Sequence, residues 1–207
     1  ENDDKVAWYE NLGSGSFGAQ QVITTAADSA RSVYAEDLDG DGDADVLSAS
    51  YEDDKIAWYE NLGSGSFGSQ QVITAAADSA RSVYAKDLDG DGDADVLSAT
   101  FRDKVAWYEN LGFGSFGPQQ VISTLTDSVQ SVYAEDLDGD GDADVVSAGS
   151  NKVAWYENLG SGSFGPEQAI SMGLNGGVSV LAEDLDGDGD ADVLLASASD
   201  SKVAWYE

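Results

Sequence analysis

The chain has 207 residues, 40 of them acidic and 9 basic, a formal net charge of −31, and neither histidine nor cysteine. No basic stripe exists to meet phosphates, which excludes nucleic acid, and the missing residue types remove Ser–His–Asp and thiol catalysis, imidazole or thiolate metals, and disulfides. An excess of one sign keeps a protein soluble but makes its compact state repel itself, so a counter-charge is expected.

In chain order, Glu1–Lys5 aligns with the Tyr-Glu-Asp-Asp-Lys of residues 51–55, and residues 1–25 read as the last two strands of a repeat. The string Asp-Leu-Asp-Gly-Asp-Gly-Asp-Ala-Asp then begins at Asp37, and again at Asp87, Asp136 and Asp184. Each copy places five aspartates on alternate positions: Asp37, Asp39, Asp41, Asp43 and Asp45; Asp87, Asp89, Asp91, Asp93 and Asp95; Asp136, Asp138, Asp140, Asp142 and Asp144; Asp184, Asp186, Asp188, Asp190 and Asp192. Two carboxylates at ~4 Å repel by about 4 kcal/mol at an effective dielectric near 20. A loop that gathers several needs a cation, and calcium accepts six to eight oxygens in flexible geometry. Positions one, three and five supply carboxylates. Gly42 at six makes the sharp turn, Asp43 at seven offers its backbone carbonyl, and Asp45 at nine closes the site. An EF-hand needs a bidentate Glu at position twelve and flanking helices; here that position is Ser48, inside an apolar strand. The competing reading, a plain Asp-Gly turn, leaves the fourfold recurrence unexplained.

One period predicts four strands: Ser82 to Ala85, Asp45 to Ser50 after the loop, Lys55 to Glu60, and Phe67 to Thr74 after the turn Asn61 to Ser66. Trp8, Trp58, Trp107, Trp155 and Trp205 mark the third strand. From Trp to the next loop the distance is always 29 residues, whereas from loop to Trp it is 21, 20, 19 and 21. All length variation therefore falls in one surface turn, between the second and third strands. Residues 32–75, 82–123 and 131–171 read as complete units and 178–207 as the first three strands of another, within one repeat domain over 1–207. Four short antiparallel strands per ~50 residues, with no helical periodicity, predict an all-β propeller of four-stranded blades. A calcium-binding β-solenoid is the alternative.

The loop, the following strand and Trp-Tyr-Glu-Asn-Leu-Gly-Ser-Gly-Ser-Phe-Gly resemble the FG-GAP/VCBS repeat family. The Phe-Gly pair stands at Phe17, Phe67, Phe116 and Phe164, but the Gly-Ala-Pro that follows in the family's name pattern is absent. The resemblance implies calcium-loaded propeller blades of the kind found in integrin α-subunit heads and secreted proteins. It also implies ligation by side chains at loop positions one, three, five and nine and by the carbonyl at seven. About one Ca2+ per loop is expected, and four ions would offset eight of the negative charges. Such loops fill where calcium is abundant, which favours an extracellular, secreted or surface location. No stretch reaches the length of a membrane span, and the lack of an initial Met suggests an excised or mature piece.

Glu10, Glu60, Glu109, Glu157 and Glu207 follow Trp-Tyr in every copy and read as parts of the blade, so no enzyme is expected. The Trp and Tyr residues read as packing between blades, with sugar-stacking shelves as the competing use. The departures from the repeat, Lys86, Phe113, Leu181 and the linker Ser171 to Gly177, read as drift. An adhesion or binding module for a protein or glycan ligand is the expected function, with a lectin or a fibre segment as alternatives. With five Trp strands and four loops, one strand is surplus, so the terminal strands are expected to pair within the chain or with a neighbouring molecule.

Overall fold

The computed structural model describes residues 4–102, 104–124, 128–173 and 176–207. A two-stranded sheet, β1 (Val6–Gly13) and β2 (Ser16–Thr24), comes first. Three four-stranded antiparallel sheets follow. They are β3 (Ala30–Glu36), β4 (Asp45–Ser50), β5 (Lys55–Tyr59) and β6 (Gln71–Thr74); β7 (Ala80–Lys86), β8 (Asp95–Thr100), β9 (Lys104–Tyr108) and β10 (Gln120–Ser123); and β11 (Ser131–Glu135), β12 (Asp144–Ala148), β13 (Lys152–Tyr156) and β14 (Gln168–Met172). A three-stranded sheet, β15 (Gly177–Glu183), β16 (Asp192–Ser197) and β17 (Lys202–Tyr206), ends the chain. Strands pair in sequence order within every sheet, so each is a meander. No helix among the described residues is long and apolar enough to cross a membrane.

Register sets what each face carries. Leu47 lies opposite Tyr34 on one side and Trp58 on the other, while Val46 lies opposite Ala35 and Tyr59. Because side chains alternate across a strand, Leu47, Ala49, Ile56 and Trp58 point to one face and Val46 and Tyr59 to the other. The first face packs on the second face of the following sheet, where Val83, Ala85, Val96 and Tyr108 meet it. The same interface recurs between the next two sheets, with Leu97, Ala99, Val105 and Trp107 against Val132, Ala134, Val145 and Tyr156. Both faces of an inner sheet are therefore covered, which explains why every residue of β8 and β12 is buried.

Small polar contacts stitch the same interfaces. The amide N–H groups of Val83, Val132 and Val180 donate to the hydroxyls of Ser32, Ser82 and Ser131 in the preceding sheet, at 3.2–3.3 Å. Tyr34, Tyr84 and Tyr133 stack in a row along β3, β7 and β11 with ring centroids 4.5 Å apart. Burial among these rings pushes the Tyr84 phenol up from its ordinary pKa. Leu181 stands where a fourth tyrosine would extend the row.

One expectation changes. The fourth strand begins at Gln71, not Phe67, because Phe67 makes only an isolated bridge to Asn61 and the chain between them forms the turn. The terminal strands do not pair with each other within the described residues: β1–β2 and β15–β17 remain separate sheets. Of the linker thought to drift, Leu174 and Asn175 lie outside the described residues.

Trp8, Trp58 and Trp107 are each capped by the Gly-Ser-Phe turn of the following sheet. Trp58 meets Phe116 edge-on at 6.5 Å, and a Cβ built on Gly114 would stand 2.3 Å from the indole. Gly114 also has φ +67°, a conformation costly for other residues. Gly15 holds the same turn position with φ +77° and nothing within 4 Å. Gly114→Ala is expected to destabilise by about 2–4 kcal/mol, combining overpacking with backbone strain. Gly15→Ala is expected to cost only about 1 kcal/mol. Urea denaturation of both variants measures the difference, which belongs to the tryptophan contact.

Candidate metal centre

The nine-residue loops join β3 to β4, β7 to β8, β11 to β12 and β15 to β16. Each follows the last pair of the ladder on its first strand, such as Glu36 opposite Asp45, and ends on the second member of that pair. Inside, the carboxylate at position one folds the backbone around itself. Asp37 Oδ1 and Oδ2 accept the N–H groups of Gly40 and Gly42, and Asp87, Asp136 and Asp184 repeat this pattern at 2.6–3.1 Å. Asp39 accepts from the Asp41 amide and Asp41 from the Asp43 amide, at 3.2 and 2.8 Å. Glycine is required at position six, where φ reaches +94° at Gly42 and +98° at Gly92.

Position nine anchors the loop to the sheet. Asp45 is fully buried; its Oδ2 accepts the Leu38 amide at 3.0 Å and its Oδ1 the Asn61 amide at 2.7 Å, at the end of the third strand. Asp95 and Asp144 repeat both bonds, to Leu88 and Asn110 and to Leu137 and Asn158. Asn110 and Asn158 extend the link between sheets: their Nδ2 groups donate to the carbonyls of Leu38 and Leu88 at 2.8 Å. One carboxylate thus ties the loop to the third strand, and the neighbouring asparagine ties that strand to the previous loop.

Carboxylate oxygens converge in every loop. Those of Asp37, Asp39 and Asp41 lie within 4.8 Å of one another, as do those of Asp87, Asp89 and Asp95, of Asp136, Asp138 and Asp144, and of Asp184, Asp186 and Asp192. A cation with oxygen ligands at about 2.4 Å places opposed oxygens ~4.8 Å apart, so these clusters have the size of such a site. The first loop assembles positions one, three and five, and the others positions one, three and nine. Asp43, Asp93, Asp142 and Asp190, at position seven, join none of these clusters. The Asp43, Asp93 and Asp142 carboxylates lie instead near Gly63, Gly112 and Gly160 of the adjacent turns. Asp91 and Asp140 also stay out, and Asp188 groups instead with Asp186 and Glu207.

That last cluster reveals what the sequence reading missed. The glutamate after Trp-Tyr borders the loop: Glu60 lines one groove with Asp39 and Asp41, and the negative charge of Glu109 acts on Asp89. Val46 pairs with Tyr59, so the next residue on each strand, Asp45 and Glu60, must sit at the loop end of the sheet. The recurrence of Glu in every copy was the available signal.

Burial pushes the carboxyls of Asp45, Asp95 and Asp144 above their ordinary pKa, Asp95 up to about 7, opposed by the two amide hydrogen bonds each accepts. With its folded pKa above the ordinary 3.8, Asp95 contributes stability that is present below about pH 4 and lost as the pH rises towards about 7. Chelator-treated protein is therefore expected to melt at a higher temperature at about pH 5 than at about pH 8. Melting curves across that window check this; a midpoint that is flat or rises with pH contradicts it.

The FG-GAP-like repeat model matches residues 1–48, 37–98, 87–147 and 136–195. No curated protein matches the sequence. Among solved structures, the chain is similar to an Agrocybe aegerita lectin described as recognising non-reducing terminal N-acetylglucosamine. Identity is 21% and TM-score 0.65, over 93% of this chain and 55% of the lectin, so the chain spans about half of it. It is also similar to the V. cholerae biofilm matrix protein Bap1, at 18% identity and TM-score 0.54 over 100% of this chain and 38% of that one. BBS1N, solved in complex with ARL6DN, is 16% identical with TM-score 0.58, over 87% of this chain and 52% of its own. These likenesses concern the fold alone. With its repeats matched from residue 1 to residue 195, the chain belongs to the FG-GAP-like repeat family.

Proposed function

We propose that this chain is part of a calcium-stabilised β-propeller that works outside the cell as a non-enzymatic binding or structural module. The observation that carries the reading is the fourfold convergence of carboxylate oxygens. Aspartates held this close in a protein of net charge −31 call for a positive occupant, and an all-oxygen donor set suits calcium. Asp37, Asp87, Asp136 and Asp184 would hold the ion together with the third-position aspartates, and the fifth- or ninth-position carboxylate would complete the set. Bound calcium supplies the charge that lets each loop close. The residues around it orient the loop, through the Gly amides and the Asn61, Asn110 and Asn158 anchors. The face-to-face packing of consecutive sheets and the family's repeats support the propeller geometry. Loops of this kind would fill where calcium is abundant, which favours an extracellular location.

Calorimetric titration is expected to count four calcium ions in the parent chain and three in Asp89→Ala. Saturation at about a hundred times Kd is expected to add about 2.7 kcal/mol per site, read as a raised melting temperature that chelation reverses. A melting curve indifferent to exhaustive chelation contradicts the reading.

A second use, glycan binding, is favoured by one observation. Phe113 replaces a serine, holds φ +56°, is 92% exposed, and lines a groove with Asp39, Asp41, Trp58, Glu60 and Gln71. An exposed ring beside acceptor groups suits a sugar face and its hydroxyls. N-acetylglucosamine, the ligand class named for the similar lectin, is the sugar to titrate. Saturable change in tryptophan fluorescence that Phe113→Ala abolishes is the expected result, and no change in either protein removes this use.

A further inference from the structure

The chain has three arginines, Arg31, Arg81 and Arg102, and all stand at the end of the sheets remote from the acidic loops. The ladder that reaches its loop at Glu36 and Asp45 begins at Ala30 and Ser50, and Arg31 and Tyr51 follow these two residues. In the next sheet Ala80 lies opposite Thr100, and Arg81 and Phe101 follow them. The same positions hold Gln130, Gly149 and Ser150 in the third sheet, and Val178, Ser197 and Ala198 in the last. An arginine, a hydroxyl and an aromatic ring therefore coincide in two consecutive repeats and in neither of the two that follow.

The two sets meet at one ring. The guanidinium carbons of Arg31 and Arg81 lie 5.1 and 4.6 Å from the centroid of Tyr51, and that of Arg81 also lies 4.8 Å from the centroid of Phe101. Stacking uses the flat face of a guanidinium and leaves its N–H edges free. Among the described residues no hydrogen bond or ion pair takes up those edges, although the chain has 40 acidic residues. Nε of Arg81 is enclosed without a partner, and so are the hydroxyls of Ser50 and Thr100, two residues each 1% exposed. Carboxylates of the same turn are engaged elsewhere: Asp53 pairs with Lys55 at 2.8 Å, and Asp54 accepts the Ser79 amide at 2.7 Å. Lys55, Lys86 and Lys152, by contrast, each hold a carboxylate. Donors enclosed without an acceptor call for one.

We propose that the stack of Arg31, Tyr51, Arg81 and Phe101 is a binding site for an acidic sugar, whose carboxylate takes the guanidinium edges. A planar fork matches both oxygens of a carboxylate at once, and an aromatic ring beside it suits the C–H face of a pyranose. Phe101 is 37% exposed, so it keeps open surface beyond its contact with Arg81. The charge of −31 does not forbid an anion here. The six residues of β4 separate Ser50 from the loop, about 17 Å along the strand. At physiological salt, exposed charges more than about 8 Å apart are largely screened. The site lies at the opposite end of the sheets from the Phe113 groove, and it rests neither on that groove nor on the occupant of the loops.

Three arginines give three Nε–H signals in the magnetic resonance spectrum of nitrogen-labelled protein, and single Arg→Lys variants assign them. Glucuronate, glucose and inorganic sulfate are titrated into the full chain in calcium-containing buffer. The expected result is a saturable shift of the Arg31 and Arg81 signals with glucuronate and none with glucose. Arg81→Lys keeps the charge but loses the fork, and is expected to weaken glucuronate binding at least about tenfold. Circular dichroism checks that this variant is folded; if it is not, Arg31→Lys, at an exposed position, carries the same expectation. Four outcomes overturn the proposal: no saturable shift with glucuronate, an equal shift with glucose, sulfate bound as tightly as glucuronate, or an affinity unchanged in the folded Arg→Lys variant.

Discussion

At Asp45, Asp95 and Asp144 a buried carboxylate with two backbone partners ties the loop to its sheet. Asp45, Asp95 and Asp144 each accept one amide from the start of their loop and one from the end of the third strand. That arrangement fixes the loop against the sheet before any ion is considered. The two amide bonds also offset part of the cost of burying an ionised carboxylate, although burial still raises its pKa. The first- and third-position aspartates of the loop are drawn together. Their oxygens converge because the Gly40 and Gly42 amides pull the first carboxylate inwards and the short alternating spacing brings the third with it. Local hydrogen bonding thus builds an electrostatic problem that a divalent cation would resolve.

The sheets depend on these loops through the asparagines. Asn110 and Asn158 take their backbone position from the ninth-position aspartate of their own repeat, and their side chains bind the Leu38 and Leu88 carbonyls of the repeat before. Loop order is therefore passed along the stack together with the apolar contact between sheets. The aromatic residues serve the same stacking: Trp58 and Trp107 are core residues capped by the following turn, and Tyr59, Tyr108 and Tyr156 are fully buried on the opposite face. Where the stack ends, the same residues are exposed, as at Trp205 with 49%.

Much of this was legible in the sequence because the repeat is strict. The invariant distance from Trp to loop fixes a strand, a turn, a strand and a linker of constant length, and the alternation around Trp58 fixes which face it takes. The start of the fourth strand was not legible: Phe67 looks like a strand residue by propensity, yet it caps the tryptophan of the previous sheet at 6.4 Å from Trp8. Nor was the variable turn fully described as a surface feature. Arg81 sits over the rings of both Tyr51 and Phe101, at 4.6 and 4.8 Å, a contact between neighbouring turns that no single repeat reveals. Lys86, read as drift, donates to both carboxylate oxygens of Glu135 across two sheets at 3.2 Å. In the site, position one and its glycines followed from spacing. The choice between positions five and nine, and the glutamate beside the loop, depended on how the third strand meets the second, which is a tertiary fact.

The central claim is that a divalent cation is the counter-charge around which these acidic loops close. An anomalous difference map from crystals grown in calcium, collected where calcium scatters anomalously, tests it most directly. A peak is expected inside each loop, between the first- and third-position aspartates, with oxygen ligands at about 2.3–2.6 Å. Well-ordered loops without any such peak, in crystals never exposed to chelator, would contradict it.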